Sequence, residues 1–290
     1  MSLNREGYFM AIKDALLPLT SYPVPTGKGA IETALALAGK LGAHISAVAF
    51  EMDIQSPIGL YADPVGVRGI LAADRKKSAE NARALVSTFA ELANMGGVSH
   101  DHTLMQCPPL EVPARLAGAA RFCDVALVPL RGGDGAGQEI AERLIFESGR
   151  PVLVFPEEPE RALRPSIETV AVAWDFSQPS ARAVADAMPL LRQAKQVRFF
   201  TVVDDKAIKD AGLGETLAKH LGRHGVEATM EDVKSGGRPI GRMFEAYVAE
   251  HKADLLVMGA YGHSRMREFI LGGATDNMLT RPPTWVLMSH

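Results

Sequence analysis

Cysteine is scarce in this chain, with only Cys107 and Cys123 among 290 residues. Two are too few for a disulfide framework, and free, partly buried thiols in a reducing cytoplasm are expected. Long apolar runs are missing as well. None approaches the ~18 residues of a membrane span, and the opening stretch MSLNREGYFM lacks the apolar segment of a secretion signal. Neither a membrane nor an exported destination is expected, so the chain is assigned to the cytoplasm. Charge of one sign is also lacking. A net charge of -3 gives no basic field to hold a polyphosphate backbone, which argues against nucleic acid as a partner. Any anion must therefore be held locally. What is present is ordinary globular material, 47% hydrophobic and 22% charged, enough for two cores of about 145 residues each.

The chain repeats itself. AIKDALLPLTSYPVP aligns with SIETVAVAWDFSQP, AHISAVAF with KQVRFFTVV, FCDVALVPLRGG with KADLLVMGAYG, and SGRPVLVFP with TRPPTWVLMS, in the same order. Between the copies lies PEEPERALRP, residues 156–165, charged, proline-bearing and without apolar periodicity, as a linker would be. This divides the chain into domains at 10–156 and 166–290. Runs rich in Val, Leu and Phe alternate with helical patterns such as 30–41, 75–93, 180–193 and 241–251. The alternation predicts an α/β fold: two tandem open parallel-sheet domains with helices on both faces and about five strands each. Residues 170–174 are read as the first strand of the second half and 255–258 as its fourth. The final strands, PVLVF and TWVLMS, are short and apolar and would each be an open edge. Pairing them, within the chain or between chains, would cover both.

The densest glycine punctuation follows that fourth strand, in MGAYGHSRMREFILGGAT, residues 258–275. In an open parallel sheet, ligands sit beyond the carboxyl ends of the strands, where strand order reverses. A glycine turn lets backbone N–H groups approach without Cβ interference, and a helix start adds partial positive charge, so phosphate is the natural guest. Nine residues separate Gly262 from Gly272, room for a turn and a short helix before a second amide cluster at 272–275. Taken singly, each glycine could equally make a tight turn or cap a helix. His263 and Arg265 lie inside the stretch, where a cation either approaches phosphate oxygens or faces solvent.

DLLVMGAYGHSRMREFILGGATDNML resembles the nucleotide-binding motif of the universal stress protein family, in the tandem form with two such domains per chain. The family pattern is Gly, two residues, Gly, nine residues, then Gly followed by Ser or Thr. Gly259, Gly262 and Gly272 match it, while Gly273 stands where a hydroxyl is usual. DFS at 175–177 and TVVD at 201–204, after the first two strands, add to the likeness. The resemblance implies a Rossmann-like fold of the adenine nucleotide alpha hydrolase type. It also implies ATP or another adenine nucleotide as ligand, with Mg carried by the nucleotide. Adenine and ribose would lie near Asp175 and Val202, with Met258 lining the pocket. The phosphates would lie near Gly259, Gly262, Gly272, Gly273, Ala274 and Thr275. An internal pseudo-dimer is implied, and homodimerisation of whole chains is left open.

Against that pattern, Gly273 forgoes a hydrogen bond to a charged oxygen, about 1.5–3 kcal/mol or roughly ten- to a hundredfold in affinity. Trp174 either stacks on a base or takes the base's place. Asp175 could cap the helix that follows it as well as meet the ligand. The first half departs further. LVPLRGGDGAGQEIAERLIFESGRPV has no second glycine cluster before Glu139, Pro129 stands where Gly or Met is expected, and Thr20 replaces the aspartate. This half is expected to bind no ATP in the family manner and to act structurally, with some other small ligand at the GGDGAG loop as the alternative.

Other chemistry finds little support. YPVPTGKG has Tyr22 where a Walker loop needs its first glycine, and GHSRM lacks the second glycine of a nucleophile elbow. His220 and His224 are four apart but have no accompanying glutamate, and His100 and His102 have no third ligand nearby. Within the motif only Glu268 could activate water, and it is expected to face solvent. No catalytic residue and no metal site are expected. The reading is an adenine-nucleotide sensor or regulator of the stress response. Its alternatives are a regulatory or scaffold protein of the same fold without nucleotide, and a slow ATPase.

Overall fold

A computed structural model describes residues 11–55, 67–133, 135–158, 166–203, 213–261 and 273–290. The first half runs β1 (Asp14–Leu19), α1 (Lys28–Leu41), β2 (His44–Met52), α2 (Val67–Gly96), β3 (His100–Cys107), a short 3-10 turn, α3 (Val112–Ala120), β4 (Val125–Leu130), α4 (Gly135–Glu147) and β5 (Val152–Pro156). The second half repeats this with β6 (Thr169–Ala173), α5 (Gln178–Leu191), β7 (Gln196–Val203), α6 (Leu213–Arg223), β8 (Thr229–Lys234), α7 (Ile240–His251), β9 (Leu255–Gly259), α8 (Gly273–Thr280) and β10 (Trp285–Ser289). The α/β alternation expected from the repeat is the one observed.

All strands join one ten-stranded sheet in the order β3-β2-β1-β4-β5-β10-β9-β6-β7-β8. Neighbours within each half are parallel. At the centre β5 and β10 run antiparallel, with Leu153 opposite Leu287. The two apolar terminal strands therefore cover each other inside the chain, which removes the open edges that PVLVF and TWVLMS would otherwise present. Because that central pair is antiparallel, the carboxyl ends of the two half-sheets open along opposite edges of the sheet.

Successive residues along each strand point to opposite faces, and both faces are covered. On one face Val170, Val172, Leu255, Val257 and Phe199 pack with residues of α1, α2, α5 and α6. On the other face Ala171, Ala173, Leu256, Met258 and Phe200 pack with α3, α4, α7 and α8. This double burial is why the strands read as continuous apolar runs. α2 extends beyond the 75–93 predicted from periodicity, and the apolar residues it buries among those described, Ala82, Leu85, Phe89 and Ala93, all fall inside that window.

The linker reading also needs trimming. Pro156 closes β5 and Glu157 is 9% exposed, so the stretch 156–165 begins as part of the first half, while 159–165 lie outside the described residues. Cys107 and Cys123 are free and buried, and burial, with the nearby Asp14 and Asp124 carboxylates, pushes the Cys123 thiol up to about 11. Among the described residues no helix is long and apolar enough to cross a membrane.

Candidate functional site

The carboxyl edge of the second half is built from the turns after β6, β7 and β9. After β6 the Asp175 Oδ1 accepts the Ser177 N–H at 3.0 Å, Phe176 takes a left-handed φ of 60°, and Ser177 Oγ accepts the Ser180 N–H at 3.2 Å. Ser177 is thus the cap of α5, and Asp175 closes the turn one step earlier. The Asp175 residue stays exposed at the sheet edge, where a carboxylate can accept hydrogen bonds from a ribose-like diol.

Trp174 decides a question the sequence left open. Its indole packs edge-on to Phe199 at 6.3 Å and Phe176 at 5.7 Å, against the core on the α5 and α6 face. Val202, Met258 and Ala274 pack on the opposite face, among α7 and α8. Strand alternation sends residues 173 and 174 to different sides, so the indole is not wedged beside Val202 and Met258. Its Nε1 is buried with no hydrogen-bond partner among the described residues.

Met258 is 3% exposed, at the end of β9. Gly259, the next residue, points the other way. A Cβ at that position would lie 2.4 Å from the Ser180 nitrogen and 2.6 Å from the Pro179 carbonyl carbon. The first turn of α5 lies against the strand there, and this packing by itself accounts for the glycine. The sequence offers a tight turn or the approach of a ligand as reasons for a glycine here, and the close helix adds a third.

Gly262, His263, Arg265 and Gly272 lie outside the described residues. Their flanks do not. Tyr261 has φ 59°, and its N–H donates to Thr275 Oγ1 at 3.3 Å. Gly273 opens α8 with nothing within 4 Å of a Cβ placed on it, Ala274 is half-buried, and Thr275 is 3% exposed. The described site residues thus gather around one sheet edge: Asp175 in the β6 turn, Val202, Met258 and Ala274 on one face, and Gly273 with Thr275 at a helix start.

Several residues at this edge were missed by sequence reasoning. The Tyr261 ring packs on Phe146 of α4 with centroids 4.5 Å apart, and its hydroxyl lies close enough to Glu142 for each to shift the other's titration. Phe146 also meets His290 at 4.8 Å, and His290 Nδ1 lies 3.1 Å from the Ala260 carbonyl oxygen. Gln138 Nε2 donates to Asp276 Oδ1 at 3.1 Å, joining α4 to α8. Burial, followed by the Glu142 and Asp276 charges, pushes the Tyr261 phenol above its ordinary range. Burial likewise raises the Glu142 carboxyl, opposed by hydrogen bonds from Gln138 and Tyr261. These partners come from different repeats, so no local pattern signals them.

The matching edge of the first half is filled differently. The Thr20 N–H donates to Thr26 Oγ1 at 2.9 Å, and Gly27 caps α1 with its N–H bound to the Glu157 carboxylate. Arg131, following β4, places Nη2 2.9 Å from the same carboxylate oxygen. The Glu157 side chain is 7% exposed. An internal carboxylate therefore sits between a helix N-terminus and a guanidinium, both of which favour negative charge. Pro129 lies within β4, Gly133 makes a left-handed turn with φ 79°, and Gly135 opens α4. Asp134 lies outside the described residues.

An open α/β sheet with this strand order, doubled through its last strands, is also found in known proteins. The sequence profile of the universal stress protein family matches residues 166–290. A universal stress protein from Archaeoglobus fulgidus DSM 4304 superposes with TM-score 0.69 at 18% identity, covering 95% of each chain. A protein of unknown function from Pseudomonas aeruginosa PAO1 superposes with TM-score 0.59 at 12% identity, over 96% of this chain and 92% of its own. A universal stress protein solved in complex with cAMP aligns with 43% of this chain and 98% of its own at 26% identity and TM-score 0.34. No curated protein sequence matches the chain. The family match thus falls on residues 166–290, and the chain as a whole shares the fold of the Archaeoglobus fulgidus universal stress protein.

Proposed function

We propose that the second half binds an adenine nucleotide, ATP in the first instance, at the carboxyl edge of β6, β7 and β9, and that the protein is a cytoplasmic sensor or regulator in the stress response. One observation carries this reading. The first turn of α8 and the turn that follows β9 are held together by the Tyr261–Thr275 bond, next to the face that Val202, Met258 and Ala274 share. Helix-start amides beside an apolar wall suit a ligand with an anionic tail and a flat base.

In this arrangement Asp175 receives the ribose, Val202 and Met258 line the base, and Gly273, Ala274 and Thr275 offer amides to phosphate. Gly262, His263, Arg265 and Gly272 complete the anion site, Gly259 joins it through its main chain, and magnesium arrives with the nucleotide. The placement of Trp174 on the other face leaves the base position uncontested. In the first half the Glu157 carboxylate already holds Arg131 and the α1 N-terminus, which supports a structural role for residues 10–156. The reading is one of binding, without a catalytic residue.

Mass spectrometry of ligand released from the purified protein, with Mg-ATP titration, tests the proposal. About one adenine nucleotide per chain is expected, with roughly 2.7 kcal/mol of added stability at a hundredfold excess over Kd. Finding no adenine nucleotide and no thermal shift would leave the nucleotide-free scaffold as the better reading. Gly273→Ser has open space around it and supplies the missing hydroxyl, so it is expected to tighten Mg-ATP about tenfold at unchanged stability.

A further inference from the structure

We propose that the first half positions the second half's ligand site through Tyr261, so that occupancy of that site is coupled to the seam between α4 and α8. The inference rests on the nucleotide reading above and deepens it. Tyr261 immediately precedes Gly262 and is held from two sides. Its main-chain N–H bonds to Thr275 Oγ1 at 3.3 Å, within the second half. Its side chain crosses to the first half, onto Phe146 at 4.5 Å and the Glu142 carboxyl.

A bulky residue at φ 59° stays there only where its surroundings hold it, and α4 supplies a large part of those surroundings. Two more ties join the same edge to the first half or to the chain end. His290 bonds the Ala260 carbonyl oxygen and meets Phe146 edge-on, and Gln138 bonds Asp276 in the first turn of α8. The two flanks of the glycine segment are thereby registered against a helix from the other repeat. By linkage, a ligand that favours this registered geometry must in turn steady α4. Tyr261 is a positioning residue: its ring contacts the first half, and it acts on the ligand site through Thr275.

The test compares wild type, Tyr261→Phe and Phe146→Ala by Mg-ATP titration and by hydrogen–deuterium exchange. Tyr261→Phe keeps the ring contact and removes the hydroxyl beside Glu142. Phe146 is 46% exposed, so its truncation leaves the fold intact. Both variants are expected to bind Mg-ATP about five- to tenfold more weakly at a near wild-type thermal midpoint. Mg-ATP should slow exchange across residues 135–147 in wild type and fail to do so in Phe146→Ala. Wild-type affinity in both variants, with exchange at 135–147 indifferent to nucleotide, overturns the coupling. If wild type binds no nucleotide, the functional reading falls separately, and the unliganded proteins decide the seam. Faster exchange at 273–280 in Phe146→Ala than in wild type sustains it, and equal rates overturn it.

Discussion

At the scale of single residues, the sharpest constraint lies at Gly259. A methyl group there would press on the Ser180 nitrogen at 2.4 Å and the Pro179 carbonyl carbon at 2.6 Å. Those are backbone atoms of a capped helix turn and cannot rotate away. Gly259→Ala is therefore expected to cost at least about 2 kcal/mol in urea unfolding, whether or not nucleotide is present. Glu142 carries a pH signature. Burial raises its carboxyl pKa in the folded protein, so the native state holds a proton more tightly than the unfolded chain. That contribution is complete below the ordinary glutamate range and fades as pH rises through the raised value. Thermal midpoints of wild type and Glu142→Gln, followed upward from pH 4, should show the wild type losing ground to the variant and then running parallel to it. A constant difference would mean that Glu142 titrates as it does in the unfolded chain.

At the scale of elements, the alternation of strands and helices was readable because parallel strands buried on both faces leave unbroken apolar runs, as in VALVPL and LLVMG. The glycine segment after β9 was readable too, through spacing. Contacts that join distant parts of the chain were not. Glu157 read as one more charge in a linker because its partners, Arg131 and the Gly27 amide, lie 26 and 130 residues away. Tyr261 read as a spacer between glycines because Phe146 belongs to the other repeat. Trp174 was ambiguous until strand alternation assigned it a face. The Glu157 contact also makes a prediction about α1. Its acidic partner caps the helix through Gly27, and Arg131 is 29% exposed and partly screened. Glu157→Ala should therefore lower stability by about 1–2 kcal/mol, with faster amide exchange in the first turn of α1.

At the scale of the whole molecule, the central antiparallel pair makes one sheet out of two copies. Phe155 of β5 and Trp285 of β10 pack together at 4.5 Å across this junction, and Trp285 is 1% exposed. Trp285→Ala is expected to remove about 3–5 kcal/mol, and the two halves should lose stability together in a single unfolding transition followed by circular dichroism. Separate transitions would show that each half-sheet is stable without the other. With that junction sealed, the outermost strands among the described residues are β3 and β8, at the two far tips of the strip. Their exposed positions carry Asp101 and His102 on one and Asp232 and Lys234 on the other. Charges so placed discourage a second molecule from adding its own strand. The doubled architecture thereby moves the hazard of end-to-end growth away from its greasy middle and onto two margins that repel intruders.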